Sequence, residues 1–211
     1  MKRILVVLIV ACLTGCGTTR LGLDAFRTFT PRTIGIVIGS DARGTIGMTT
    51  DFLIPHDVYV PLPTEVNYGL AKLVEQQLCD SLATKGYSVQ LLKMIDVEWD
   101  VFSNTSDSPA SYARLLQQYG ITPKEESVDA LLIAEFLLQP KMQNAKRIRE
   151  LTLSNCEVTY AKSKLWLYDL RTGKRLFFSS IQRGYEEMFS HVTPEEALNT
   201  VLNLKGIPAA Q

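Results

Sequence analysis

Residues 128–138, VDALLIAEFLL, limit the fold of this chain more than any other stretch. Apolar side chains follow one another along this segment with almost no alternation. A strand of this kind is typical of a sheet interior, where both faces are covered. We therefore predict that residues 128–138 form a central strand that is buried on both faces.

Helix and strand signals alternate along the rest of the chain. Predicted strands lie at residues 32–38, 87–92, 156–170 and 175–183, and predicted helices lie at 64–85, at 108–118 and from 193 onwards. This order predicts an α/β fold: a single-domain sandwich over residues 32–211, with a mixed sheet, a C-terminal antiparallel hairpin and helices packed on it. Residues 40–63, rich in Gly and Pro, are interpreted as a long connection with room for one short strand at 57–60.

Local signals mark several element ends. Thr64 is predicted to cap the first long helix and Gly86 to end it. Gly173 is expected to adopt a positive φ in the turn of the hairpin. Thr193 and Glu196 form a capping-box pattern at the start of the last helix.

The first seventeen residues are MKRILVVLIVACLTGCG, a basic start followed by ten apolar residues. A membrane-spanning helix needs about 20 apolar residues, so this run is typical of a secretory signal instead. It ends in Leu-Thr-Gly-Cys, which resembles the bacterial lipobox. That resemblance implies a signal peptide over residues 1–15, cleavage before Cys16, and a diacylglycerol with an added N-acyl chain, such as palmitate, on Cys16.

The residue after Cys16 indicates a destination. Gly17 is not the aspartate that commonly retains such lipoproteins in the inner membrane, so we expect the inner leaflet of the outer membrane, facing the periplasm. Residues 16–31 are interpreted as a lipidated tether with little periodicity. Even fully extended, it would reach about 50 Å, which would keep the domain close to its membrane.

Charge excludes one class of partner. Cleavage after residue 15 would leave 196 residues with 20 basic and 22 acidic side chains, and such a balance predicts no nucleic-acid partner. The densest basic cluster is interpreted either as a solvated connector or as a contact to an anionic surface such as phospholipid headgroups. Its members are Lys141, Lys146, Arg147 and Arg149.

Two cysteines besides Cys16 belong to the mature chain. An oxidising periplasm permits a disulfide between Cys79 and Cys156. Cys79, however, falls nearly opposite the apolar stripe of its predicted helix. The sequence therefore leaves the pairing of these two thiols open.

Three longer stretches carry a resemblance. They are LVEQQLCDSLATKGYSV (73–89), YGITPKEESVDALLIAEF (119–136) and LWLYDLRTGKRLFFSS (165–180). They resemble a group of bacterial periplasmic lipoproteins that includes the curli-secretion lipoprotein and the lipoprotein activator of penicillin-binding proteins. The resemblance implies a non-enzymatic role in envelope assembly, with an envelope protein or further copies of the chain as partner. Neither 40–63 nor 139–155 alternates as strands of a membrane barrel do, so no pore-forming hairpin is expected.

Few residues have the pattern of a chemical site. His56 lacks the companion motifs of a Ser-His-Asp hydrolase, and His191 is interpreted as a loop residue. The glycines of GSDARGTIG lack the lysine of a phosphate-binding loop and are interpreted as a flexible loop. No His, Cys and carboxylate cluster has metal-ligand spacing. We therefore expect no catalytic, cofactor or metal site, and the protein is not expected to be an enzyme.

Alternate residues of the 156–170 strand differ in character. One parity is small and apolar and suits packing under helices: Ala161, Ser163, Leu165 and Leu167. The other parity has a composition like that of partner-binding surfaces and supplies the candidate partner-binding residues: Tyr160, Lys162, Lys164, Trp166 and Tyr168. An ordinary half-solvated strand is the alternative, and the two faces could be reversed. If the face binds a partner, replacing Trp166 by alanine weakens partner capture more than folding.

Taken together, these features favour a lipid-anchored, non-catalytic envelope lipoprotein. It would act by protein–protein interaction, as a structural or accessory part of a cell-envelope assembly or secretion machine. The alternative is an auxiliary lipoprotein of a lipid or solute transport system. An apolar cavity between helix and sheet, or co-purifying lipid, would favour that alternative.

Overall fold

The computed structural model describes residues 17–21, 31–51, 54–96, 117, 120, 128–140, 150–185 and 191–210. These ranges hold seven strands and two helices. The strands are β1 Gly17–Leu21, β2 Thr33–Asp51, β3 Ile54–Pro61, β4 Ser88–Asp96, β5 Ala130–Pro140, β6 Val158–Asp169 and β7 Arg175–Gly184. The helices are α1 Thr64–Ala83 and α2 Pro194–Val201.

The strands form one mixed sheet in which β2 and β5 are central. The order is β1-β7-β6-β5-β2-β3, and β4 also pairs with β2. The first half of β2 runs parallel to both β4 and β5. The neighbouring pairs β5/β6, β6/β7 and β7/β1 are each antiparallel. The predicted α/β fold with its mixed sheet and C-terminal hairpin is confirmed.

β5 lies in the sheet interior, as its apolar sequence predicts. Every residue from Ala130 to Phe136 is buried, on both faces of the sheet. Its neighbours are β2 on one side and β6 on the other. Because both backbone edges are paired and both faces are covered, an apolar side chain suits nearly every position.

Both described helices pack on one face of the sheet, which we call the helix face. From α1 this face receives Leu70, Val74, Leu78 and Leu82, all less than 2% exposed, and α2 adds Leu198. Full burial of a side chain of this size contributes about 1.5–3 kcal/mol. The helix face therefore holds the larger part of the described core.

The opposite face of the sheet, which we call the second face, carries a separate buried cluster. Its members are Val37, Leu131, Ile133, Trp166 and Tyr168. They alternate along their strands with residues of the helix face, as the pleat of a β-strand requires. The sheet is therefore buried on both sides of its central strands.

The ends of α1 confirm one prediction and correct another. Gly86 has a φ of +89° and ends the helix as expected. Thr64, however, does not cap α1, because the helix already begins at Thr64 and Pro63 occupies the cap position without a side-chain hydrogen bond. The carbonyl of Pro63 accepts hydrogen bonds from the amides of Val66 and Asn67 instead. At α2 the predicted capping box of Thr193 and Glu196 is confirmed.

Residues 40–63 differ from their interpretation as a long connection. β2 continues to Asp51, and its second half pairs antiparallel with β3, with a register shift between Ile46 and Met48. The glycines of GSDARGTIG thus lie in a strand, and His56 lies in β3. Backbone pairing joins the two strands of this hairpin, and an edge strand tolerates the prolines of β3. The expectation of a flexible loop was therefore wrong.

The stretch interpreted as a tether also contains regular structure. β1 pairs antiparallel with β7, with Gly17 opposite Ile181 and Leu21 opposite Phe177. Five residues of that stretch therefore join the sheet directly after Cys16. The span of free chain between Cys16 and the domain is correspondingly shorter than the sequence alone suggests.

Some expectations lie outside the described residues. These are the signal peptide with Cys16, most of the helix at 108–118, and the basic cluster between 141 and 149. Gly120, just after that predicted helix, has a φ of +60°. In the described ranges, neither helix combines the length and the apolarity needed to cross a bilayer.

The hairpin turn supplies a first test. Gly173 has a φ of +68°, where an added Cβ costs about 1–2 kcal/mol. Gly173→Ala is therefore expected to lower the free energy of unfolding by about that amount, as measured by urea unfolding. The turn is otherwise held by Asp169, whose backbone carbonyl accepts from the Gly173 amide at 2.8 Å and whose carboxylate accepts from the Thr172 hydroxyl at 2.8 Å.

Gly184→Ala is the matched control for that variant. A Cβ at Gly184 would meet no atom within 4 Å, so a change within about 0.5 kcal/mol is expected. Equal losses in the two variants would show that the positive φ of Gly173 does not limit substitution.

Candidate interaction surface

The two parities of β6 separate as the sequence predicts. Ala161, Leu165 and Leu167 are fully buried in the core of the helix face. Ser163 lies among them and donates a hydrogen bond to the carbonyl of Val201 at 2.5 Å. This bond satisfies a buried hydroxyl and joins β6 to the end of α2.

The five candidate partner-binding residues share the second face, but their exposure differs along the strand. Trp166 is 2% exposed and Tyr168 is 5% exposed, and both belong to the buried cluster of that face. Tyr160 and Lys162, at the other end, are half-buried. Only the Tyr160 end of the face is therefore placed to touch a partner without rearrangement.

Trp166 has a specific aromatic neighbour on β7. The two strands place Phe178 directly opposite Trp166, and their ring centroids are 5.8 Å apart at an interplanar angle of 42°. The guanidinium of Arg175 lies over the ring of Phe178, 4.9 Å from its centroid. Such a stack adds to the energy of simple burial, so this end of the face stabilises the fold.

Lys164 lies in the middle of the strand and is 8% exposed. It stands directly opposite Glu135 of β5, which is 1% exposed. Burial lowers the pKa of Lys164, and the neighbouring charge of Lys162 lowers it further, whereas Glu135 acts in the opposite direction. Lys164 is thus a buried cation opposite a buried carboxyl group, which is the arrangement of an internal structural pair.

The accessible end of the face consists of Tyr160, Lys162 and Gln182, which we call the Tyr160 patch. Gln182 of β7 stands opposite Lys162 and is exposed. The Tyr160 hydroxyl donates a hydrogen bond to Oε1 of Gln182 at 3.3 Å, and burial raises the pKa of Tyr160. An aromatic ring, a cation and an amide are thus held on paired strands.

Sequence reasoning missed the residues that β5 and β7 contribute to this face. Glu135, Phe178 and Gln182 share it with the β6 residues. The hairpin turn contained a usable signal, because a turn of known length sets which residues of β7 face those of β6. A bulge between Leu167 and Tyr168 shifts that register by one residue, and nothing in the sequence marks the bulge.

Cys79 and Cys156 are free thiols. Cys156 is buried and Cys79 is half-buried. Burial raises the pKa of the Cys156 thiol to about 11, and burial also raises the pKa of Cys79. Both thiols are therefore held in the neutral form, which is the unreactive one.

The raised pKa of Cys156 predicts a loss of stability in alkali. A thiol ionises near pH 9 in the unfolded chain and near pH 11 in the folded one. Its stabilising contribution is therefore complete below pH 9 and is lost as the pH rises towards 11. We expect the free energy of unfolding to fall by about 2 kcal/mol more in the wild type than in Cys156→Ala between these pH values.

Cys79→Ala provides the comparison, because this helix position is less buried. Urea unfolding at pH 8 and pH 11 should give Cys79→Ala a pH dependence close to that of the wild type. If Cys156→Ala showed the same pH dependence as Cys79→Ala, the buried thiol would not be its source.

Histidine and possible metal ligands remain to be placed. His191 is exposed, and its Nδ1 lies 2.6 Å from Oε1 of Glu157. Within the described residues, His, Cys, Asp and Glu side chains form no group of three that could hold a metal ion.

Comparison with known proteins finds similarity only to solved structures, at low sequence identity. No protein-family model and no curated protein matches it. Among solved structures it is similar to the PelC dodecamer from Paraburkholderia phytofirmans, with 8% identity over 89% of this chain and 98% of that chain and a TM-score of 0.38.

Two further structures are similar at the same level. Lipoprotein GNA1162 from Neisseria meningitidis has 15% identity over 76% of this chain and 85% of that chain, with a TM-score of 0.31. The LpoB C-terminal domain from Escherichia coli has 12% identity over 74% of this chain and 86% of that chain, with a TM-score of 0.28. At TM-scores this low, the likenesses carry no argument about function, which has to come from the residues of this chain.

Proposed function

We propose that this protein is a lipid-anchored, non-catalytic envelope lipoprotein that acts through protein–protein contacts. Its role would be that of a structural or accessory part of a cell-envelope assembly or secretion machine. The observation that carries the proposal is the N-terminal sequence, in which a basic start and ten apolar residues lead to Leu-Thr-Gly-Cys. Acylation of Cys16 is the chemistry that this resemblance to a lipobox implies.

The proposed anchor fits the position of β1. The strand begins at Gly17, the residue after Cys16, and pairs with β7. An acylated Cys16 would thus hold the sheet edge against the membrane, with little free chain between them. Two or more acyl chains give a stable anchor. The proposed location is the inner leaflet of the outer membrane. Gly17 occupies the position at which lipoproteins retained in the inner membrane commonly carry aspartate.

The Tyr160 patch supports a role in protein contact. Aromatic residues are enriched at protein interfaces, and Tyr160 is already positioned by its hydrogen bond to Gln182. A side chain held in one place loses little conformational entropy on binding. The patch therefore offers a partner a small preorganised surface, and the proposal includes no catalytic step.

Site-specific photo-crosslinking tests the proposal. A photoreactive residue is placed at Gln182, in the Tyr160 patch, or at Lys72, an exposed position of α1 that pairs with Glu75 at 2.8 Å. In cells that make the lipidated protein, position 182 should give a discrete crosslinked product that position 72 does not give. Absence of any product at position 182, or identical products from both positions, would contradict the proposed surface.

A further inference from the structure

A cavity of about 520 Å³ lies on the helix face, outside the surface discussed above. It is bounded by the end of α1, the end of β7, and α2 with the segment that follows it. This volume is within the range of small-ligand sites, about 300–1,000 Å³. The cavity is therefore large enough for a charged headgroup or a small phosphate ester.

The charged side chains that line the cavity are all basic. Lys85, Arg183 and Lys205 contribute to it, and the amides of Asn199 and Asn203 add neutral donors. Among the residues that the structure describes, none with a carboxylate lines the cavity. Three cations brought together without an internal counterion favour an anionic ligand.

Each cation reaches the cavity from a different part of the chain. Lys85 follows α1, and its Nζ donates a hydrogen bond to the carbonyl of Ile207 at 2.7 Å. Arg183 points to the helix face, because it stands opposite Ala161 in the β6–β7 pairing. Lys205 is exposed and follows α2. The fold, and not a local sequence cluster, assembles this group.

Arg183 has an unused donor at this position. Its Nε is shielded from solvent and, within the described part of the chain, has no hydrogen-bond partner. A buried donor without an acceptor is costly, so the guanidinium of Arg183 is incompletely hydrogen-bonded within the described part of the chain. A guanidinium also matches the geometry of phosphate oxygens better than an ammonium does.

The cavity lies beside the start of the mature chain. Ile181, one of its lining residues, pairs directly with Gly17 of β1. Cys16 is the residue before Gly17. Anchoring at Cys16 would therefore bring the three cations next to the membrane surface, where lipid phosphates are concentrated.

We propose that this cavity binds a phosphate group, supplied either by a lipid headgroup of the anchoring membrane or by a soluble phosphate ester. The headgroup as source rests on the proposed lipidation of Cys16, whereas phosphate binding itself does not. The position beside Gly17 favours the headgroup. Arg183, Lys205 and Lys85 are the ligand-binding residues.

The test uses the full lipidated protein in dodecyl maltoside. Native mass spectrometry measures the binding of added phosphatidylglycerol, and diacylglycerol with the same acyl chains serves as the probe that lacks phosphate. A separate calorimetric titration uses inorganic phosphate. The variants are Arg183→Gln and Lys205→Gln, and Lys174→Gln, an exposed position of the hairpin turn, is the charge-matched control.

The wild type and Lys174→Gln should bind phosphatidylglycerol equally, and neither should bind diacylglycerol to the same extent. Arg183→Gln and Lys205→Gln should bind it about tenfold more weakly, or worse. Equal binding by all variants, or equal binding of both lipids, would overturn the proposal. Since Lys205 is exposed, Lys205→Gln should fold even if Arg183→Gln does not, and it then decides the result.

The two sources and the two proposals can be distinguished. Binding of inorganic phosphate that weakens in Arg183→Gln, without binding of phosphatidylglycerol, would support the phosphate site and overturn the headgroup as source. Absence of an acyl chain on Cys16 would overturn the proposed function. The phosphate titration would still test the cavity in that case.

Discussion

Cys16→Ala is expected to abolish acylation of the protein. In cells fed an alkyne analogue of palmitate, the wild-type chain should carry the label and the variant should fall to background. The physical reason is that, in the proposed processing, the thiol of Cys16 would receive the diacylglycerol, and cleavage before residue 16 would free the amine that is acylated next. Each buried methylene contributes about 0.8 kcal/mol to membrane binding, so loss of these chains removes the main attachment of the domain.

Cys12→Ala is the control for that experiment, because it removes a cysteine from the same segment four positions earlier. It should keep both the label and the mature mass. Label that persists in Cys16→Ala, or that is lost equally in both variants, would contradict the lipobox interpretation. Mass spectrometry of the N-terminal peptide distinguishes a failure of cleavage from a failure of acylation.

Trp166→Ala is expected to have the largest effect on stability. Trp166 is 2% exposed, lies in the second-face cluster and stacks on Phe178. Truncation of a buried tryptophan costs about 3–5 kcal/mol, which is a large part of the stability of a domain. Urea unfolding should show this loss, with the urea midpoint falling in proportion.

Gln182→Ala is the companion variant on the same face. Because Gln182 is exposed, its replacement should change the free energy of unfolding by about 0.5 kcal/mol or less. If Trp166→Ala cost as little as Gln182→Ala, Trp166 would not be part of the core. Its ring would then be available to a partner, as the sequence hypothesis holds.

The sequence predicts the parts of the fold that depend on local rules. The apolar run of β5 specifies a central strand, and the structure places it between β2 and β6. Positive φ at Gly86 and Gly173 and the capping box at Thr193 follow from residue type and neighbours alone. In each case the determining interactions lie within a few residues.

The β2–β3 hairpin shows what local rules miss. The apolar pattern of β2 ends near Ile38, although the strand itself continues to Asp51. From Arg43 onwards the backbone pairs with β3, and such pairing does not require alternating apolar side chains. Prolines and glycines in this segment point to a connection, yet an edge strand accommodates both.

The candidate surface and the cavity depend on contacts between distant segments. Alternation along β6 shows which residues share a face, but it does not show that the Trp166 end of that face is covered. Similarly, Lys85 is far in sequence from Arg183 and Lys205, and the packing of α1 and α2 on the sheet brings the three cations together. Sequence periodicity contains no information about such contacts between distant segments.

Contact with other proteins is the proposed mode of action of this chain. The most direct measurement is chemical crosslinking of the native lipidated protein in its own membranes, followed by sizing and mass spectrometry of the products. We expect a discrete high-mass product that contains either several copies of this chain or one dominant envelope protein. Recovery of the uncrosslinked monomer with bound lipid and no protein partner would contradict the proposed function and favour a transport lipoprotein.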